Sequence, residues 1–217
     1  MASQSKPEIL LLSLSAQGFF DDQFASLIDT LSESSQLKRA KSASGAIQYL
    51  NNNNPSAILI TDEGLAKKGN KPVLDRVIEY IRNGGLAVAS LHFPSFINQS
   101  AFDHFFGAFD LPWTRGDYDR TTFQFNPAST FPGLQTAAVP ERYSMKALRI
   151  KNARPHEKIY VPVAGAKTES RVFPPGHVDE AQAAVVGAKL GDGYLVYIGD
   201  VNNEEESVKI LLALFGF

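Results

Sequence analysis

One histidine in this sequence stands where an open α/β sheet would do chemistry. His92 follows Leu86-Ala87-Val88-Ala89-Ser90-Leu91, a nearly continuous apolar run of the kind found in parallel strands covered on both faces. Ligands of such sheets bind outside the carboxyl ends of the strands, so Ser90, Leu91, His92 and Phe93 mark the place to look. An imidazole there can serve as general base, hydrogen-bond donor or metal ligand, with Ser90 and Phe93 beside it to bind substrate. The alternative is a structural histidine whose ring fixes the turn. The same positional argument selects Ser15, just past the first apolar run, as a binding residue. It selects Asp62, Glu63 and Asp200, at the ends of two further runs, as carboxylates for acid–base work. Helix caps and turn residues would use the same side chains, and that reading stays open. His104 falls on the polar side of a helical pattern and His156 in a charged loop, where both are expected in solvent. Ser90 as a hydrolase nucleophile lacks the two flanking glycines that let a nucleophile elbow turn sharply. No pair with metal-ligand spacing occurs, and neither a metal nor a cofactor is expected.

Several function classes are excluded by composition. None of the 217 residues is cysteine, which removes thiolate nucleophiles, zinc–thiolate sites, iron–sulfur clusters and disulfides together. A net charge of −2 gives no electrostatic case for nucleic acid or a membrane surface. No apolar run approaches the roughly 18 residues a membrane span needs, and Met1 to Pro7 is polar, so a cytoplasmic location is expected. Asn98-Gln99-Ser100 matches a glycosylation acceptor but reads as a helix start. The hydrophobic and charged fractions, 44% and 20%, are those of an ordinary globular chain long enough for one large α/β domain spanning 1–217.

The elements that must position these residues follow from periodicity. Glu8 to Leu14 reads as a first central strand, and Asp21 or Asp22 as the cap of a helix carrying Phe24, Leu27, Ile28 and Leu31 on one face. Leu37 to Ala43 suggests an edge strand, Ala46 to Leu50 a short helix ended by four asparagines, and Ala57 to Ile60 another buried strand. From Pro72, the residues Val73, Leu74, Val77, Ile78 and Ile81 recur at helical spacing, and Gly84 sits where a helix C-cap wants a left-handed residue. Ser100 and Asp103 resemble a capping pair before the stripe Phe102, Phe105, Phe106 and Phe109, an arrangement read as core. About 110–180 the helical period disappears, and short strands are expected at Thr121 to Phe125, Ala147 to Ile150 and Ile159 to Val163, as a β-rich insertion. A hairpin turning at Gly191-Asp192-Gly193 and a last helix, with Val208, Leu211, Leu212 and Phe215 inward, close the chain. Alternating strands and helices of this kind predict a three-layer, doubly wound, mostly parallel sheet.

At Gly84-Gly85, the apolar strand and Leu91-His92, the chain resembles class I glutamine amidotransferase-like domains, specifically the ThuA-like (trehalose-utilisation) branch. In that branch a Gly-Gly pair, a hydrophobic strand and a histidine follow a helix. The ending Gly191-Asp192-Gly193-Tyr194-Leu195-Val196-Tyr197-Ile198-Gly199-Asp200 is similar to the family's glycine-flanked strand closed by Gly-Asp. The resemblance implies a flavodoxin-like fold and places His92 where true amidotransferases carry their nucleophilic cysteine, so glutamine hydrolysis is not expected. Ser90 departs from the glycine found there in ThuA-like proteins. Gly176-His177 resembles a Gly-His pair late in those sequences, which implies a second catalytic histidine facing His92; a loop histidine in a proline-rich turn is the other reading. The function so implied is action on, or binding of, a small polar metabolite such as a carbohydrate. The rivals are a catalytically inert binding or oligomerisation module, for which a homodimer is the natural partner, and a serine hydrolase.

Overall fold

The computed structural model describes residues 6–132, 134, 139–170 and 172–217; residues 1–5 of the polar stretch Met1 to Pro7 lie outside them. Among the described residues nine strands form one sheet: β1 Glu8–Leu12, β2 Gln36–Ala40, β3 Ala57–Ile60, β4 Leu86–Ala89, β5 Thr114–Phe125, β6 Arg142–Lys151, β7 Lys158–Pro162, β8 Val185–Leu190 and β9 Gly193–Ile198. Their order is β2-β1-β3-β4-β9-β8-β7-β5-β6. The four apolar runs expected at the centre, β1, β3, β4 and β9, are adjacent and parallel, with the basic β2 at one edge. Beyond β9 every pairing is antiparallel, so the sheet is mixed and the expectation of a mostly parallel sheet is corrected. The cause lies in the region read as an insertion. Its strands β5, β6 and β7 are joined through β8 to the main ladder and prolong the central sheet instead of standing apart from it. β5 and β6 are also longer than periodicity suggested, because a long hairpin half in solvent carries too few apolar residues to mark its ends.

Helices cover both faces. Against one pack α3 Ala43–Asn52, α4 Lys71–Arg82 and α6 Gln99–Gly107, whose Leu50, Val77, Ile81 and Phe106 meet Leu10, Ile60 and Ala87. Against the other pack α2 Ala25–Ser34 and α7 Glu205–Leu214, whose Leu27, Leu31 and Leu211 meet Ile9, Leu11, Leu59 and Val88. Alternate residues of each central strand thus serve opposite cores, which is why those strands read as unbroken apolar runs. The phenylalanine stripe of α6 is buried as expected. In α7 the buried stripe is Ser207, Ile210 and Leu211, rotated from the one expected, with Phe215 beyond the helix end. Neither expected aspartate caps α2. A four-residue helix, α1 Phe20–Gln23, takes Asp21 and Asp22 into its own first turn and leaves Phe24 as the boundary. Asn98, not Ser100, caps α6, accepting from Ala101 N at 2.9 Å. Gly84 ends α4 with φ +103°, the left-handed conformation that glycine adopts without strain.

Candidate functional site

Register builds the site. Leu12 pairs with Ile60, Ile60 with Ala89 and Ala89 with Tyr197, so four parallel strands end on one line. Ser13–Ser15, Thr61–Glu63, Ser90–His92 and Asp200 follow that line, and the candidates chosen by strand-end position share one edge of the sheet. The first polar layer there is buried and satisfied: Ser13 Oγ and Thr61 Oγ1 share a 2.9 Å hydrogen bond, and Arg39 Nε donates to Ser13 Oγ at 3.1 Å. Asp62 Oδ1 accepts from the amides of Ser15 (3.0 Å) and Gly64 (2.9 Å), so this carboxylate caps the following 3₁₀ turn, Glu63–Ala66. Burial raises the Asp62 pKa above its ordinary value, against the pull of those amides. Glu63 behaves oppositely. Burial would raise it, but hydrogen bonds from Ser15 Oγ (2.8 Å) and the Lys67 ammonium (3.0 Å) outweigh burial and hold it low.

His92 emerges from β4 through a sharp turn. Leu91 takes the left-handed conformation, φ +61°, and His92 N donates to Thr61 O at 3.0 Å before α5, Phe93–Phe96, begins. The strained residue of the turn is therefore Leu91, one place before the histidine that the resemblance aligns with the amidotransferase nucleophile. A leucine at positive φ is unusual, and such strain persists only where the surroundings enforce it. The imidazole itself is enclosed, only 3% exposed. Phe19, Phe20, Phe24 and Phe96 meet it edge-on with centroids 5.0–5.3 Å away. Nε2 is 2.9 Å from Gln23 Oε1, and Nδ1 is buried without a partner among the described residues. Removal from water lowers the His92 pKa below 6.5, outweighing the opposite influence of Glu63.

The other candidates have different surroundings. Ser90 and Asp200 line a cavity of only about 10 Å³, closed by Gln23, Phe24, Ser207 and Leu211, room for about one water. No hydrogen bond joins Ser90 to His92 among the described residues. Asp200 accepts from the amides of Asn202 (2.8 Å) and Glu204 (2.7 Å) at the entrance to α7, and its pKa is raised by burial. Phe93 is fully buried against Phe105, Phe102 and Tyr197, on the core side of the turn. His177 is exposed in a strap whose base pairs Lys167 with His177, and it is not among the rings around His92. No group of three or more His, Asp or Glu among the described residues is placed to hold a metal. Sequence reasoning missed Gln23 and the Phe19-Phe20 pair. A signal was present, since three phenylalanines crowd an otherwise acidic turn just past a strand end.

No protein-family model matches the sequence, and no curated protein matches it. Solved structures do. A ThuA-like protein from Bacteroides uniformis superposes with TM-score 0.62 at 12% identity, over 99% of this chain and 92% of that one. A cytoplasmic protein from Salmonella typhimurium LT2 gives 0.58 at 12% identity, covering 96% of this chain and 98% of that one. A ThuA-like protein from Parabacteroides merdae gives 0.56 at 11%, covering 97% and 88%. A β-galactosidase from Bacillus circulans aligns with 99% of this chain at TM-score 0.53, but only over 31% of its own length. The likeness read at Gly84-Gly85 and Gly191–Asp200 thus extends to nearly every residue: the chain has the α/β fold of the ThuA-like proteins.

Proposed function

We propose that this chain is a ThuA-like domain that binds a small polar molecule without transforming it at His92. The observation that carries this reading is the closure of the strand-end cleft. Four phenylalanine rings and Gln23 enclose the imidazole, and the space beneath Ser90 holds about one water. A general base must reach the proton it removes, and a nucleophile must be hydrogen-bonded to its base. Ser90 and His92 lack that bond, and without any cysteine the thioester route is closed as well. Two carboxylates of the row, Asp62 and Asp200, are occupied by backbone amides as helix and turn caps. The fold likeness to ThuA-like proteins is compatible with a carbohydrate or other polyhydroxylated ligand, which is part of this proposal.

The test is a turnover screen of the full chain and of His92→Ala against chromogenic ester, glycoside and amide substrates, with glutamine included and a fluorophosphonate label added. The expected result is no turnover that depends on His92 and no labelling of Ser90. Turnover lost in a folded His92→Ala protein would establish catalysis at the strand ends and overturn the reading.

A further inference from the structure

A second cavity lies at the other end of the sheet from His92. Tyr194 opens β9 and faces Lys189 across the β8–β9 hairpin, whereas His92 follows the carboxyl end of β4. The cavity between that hairpin end and the 3₁₀ turn Pro155–Glu157 measures about 150 Å³. A cavity of about that size takes one benzene ring. Its floor is aromatic: Phe131 and Tyr194 meet edge to face with centroids 5.2 Å apart. Gly187 leaves the room for Phe131, since a Cβ there would lie 2.5 Å from that ring. The polar groups around this floor call for an acceptor. Glu157 is the one acid in the wall, and its oxygens are already served. Oε2 accepts from the Trp113 indole (2.9 Å) and the Arg154 amide (2.7 Å), and Oε1 from Arg154 Nη1 (3.3 Å). Arg154 keeps Nε and Nη2, which donate to nothing among the described residues, on a side chain 58% exposed and so open to a ligand. Lys189 pairs with no carboxylate among the described residues. With Glu157 answered by Arg154, Lys189 leaves the rim one positive charge in excess, and His156, exposed beside it, brings no negative one.

We propose that this cavity binds a small aromatic carboxylate, its ring against Phe131 and Tyr194 and its carboxylate on Arg154 and Lys189. A guanidinium with two free donor nitrogens matches the planar fork of a carboxylate, and the lysine supplies the balancing charge. A neutral ring leaves both cations unanswered, and a bare carboxylate such as acetate leaves the ring-sized space unfilled. The site goes beyond the strand-end reading and fails separately from it. Turnover at His92 would leave this titration untouched, and an absence of binding here would leave the enclosure of His92 as it is.

Titration of the full chain with benzoate, acetate and benzyl alcohol tests it, followed by calorimetry and by the indole N–H signal in a proton–nitrogen-15 spectrum. Trp113 is the single tryptophan, and its N–H is bonded to the carboxylate that Arg154 also holds, so that one signal reports the cavity. Benzoate is expected to shift it saturably with a Kd of about 1 mM or tighter, and acetate and benzyl alcohol to bind at least about tenfold more weakly. Lys189→Met, a change at an exposed position, should weaken benzoate about fivefold, and Arg154→Gln about tenfold, by removing charge-assisted hydrogen bonds. Phe131→Ala removes a floor ring and should weaken benzoate about fivefold while leaving acetate unchanged. Absence of a saturable shift with benzoate, or a Kd indifferent to Lys189→Met, overturns the site. Acetate binding as tightly as benzoate, with Phe131→Ala silent, overturns the aromatic assignment.

Discussion

An imidazole that is 3% exposed and makes one hydrogen bond should weaken the fold at acid pH, and the sign follows from its two states. Unfolded, His92 takes up a proton as the pH falls through about 6.5; folded, burial depresses its pKa and the ring stays neutral longer. The unfolded chain then holds more protons, so this residue costs no stability above pH 6.5 and lowers stability progressively below it. Asp62 and Asp200 act with opposite sign in a window opening above 3.8, because burial raises both and the folded state takes up protons first. Comparison with His92→Asn separates the contributions: urea unfolding should show a shallower loss of stability between about pH 5 and 6.5 in the variant. At pH 7, His92→Ala should destabilise by about 2–4 kcal/mol, from the cavity left among four rings. A smaller change tests the neighbouring cap. A Cβ on Gly64 would lie 2.7 Å from both Asp62 Oδ1 and Leu14, so Gly64→Ala should cost about 1–3 kcal/mol in the same assay.

The elements that present these residues were legible where one physical signal dominated. β1, β3, β4 and β9 are buried on both faces and announce themselves as apolar runs; α4 has a strong apolar stripe and a glycine stop. Tertiary packing decided the rest. β5 buries only Thr121 and Phe123 and bulges near Gly116, β6 alternates buried and half-exposed residues only over Tyr143 to Ala147, and that pattern was too weak to give their length or their place in the sheet. Strand-end position correctly brought Ser15, Asp62, Glu63, Ser90, His92 and Asp200 to one edge, because strand register fixes it. It did not give the cover by Phe19, Phe20 and Phe24, since those rings come from a four-residue helix and its flanks, too short to show a period. Two glycines test the β4 and β9 framework. Gly84→Ala meets open space but must hold φ +103°, and should cost about 1 kcal/mol. Gly193→Ala drives a Cβ into the carbonyls of Ile81 and Gly85, where α4 ends and β4 begins, and thermal unfolding should show a loss of about 3 kcal/mol or more.

Across the molecule, the antiparallel half of the sheet is tied to the parallel half by shared cores. Trp113, the single tryptophan, is buried against Phe106 of α6, and its indole donates to buried Glu157 Oε2 at 2.9 Å. Tyr197 of β9 donates its hydroxyl to Leu148 O of β6 at 2.8 Å across the same core. Tryptophan fluorescence and far-ultraviolet circular dichroism should therefore report one coincident urea transition; separated midpoints would show that the two halves unfold independently. Closure of the strand ends is likewise a property of the whole arrangement, in which α1 and its flanking residues Phe19 and Phe24 carry Gln23 and three phenylalanine rings over a turn made by β4 and α5. Nitrogen-15 NMR of the His92 imidazole between pH 5 and 8 tests that closure most directly. A closed cleft predicts a neutral ring protonated on Nε2, with a titration midpoint below 6.5. A midpoint at or above 6.5, with the rapid tautomer exchange of a solvated ring, would contradict it.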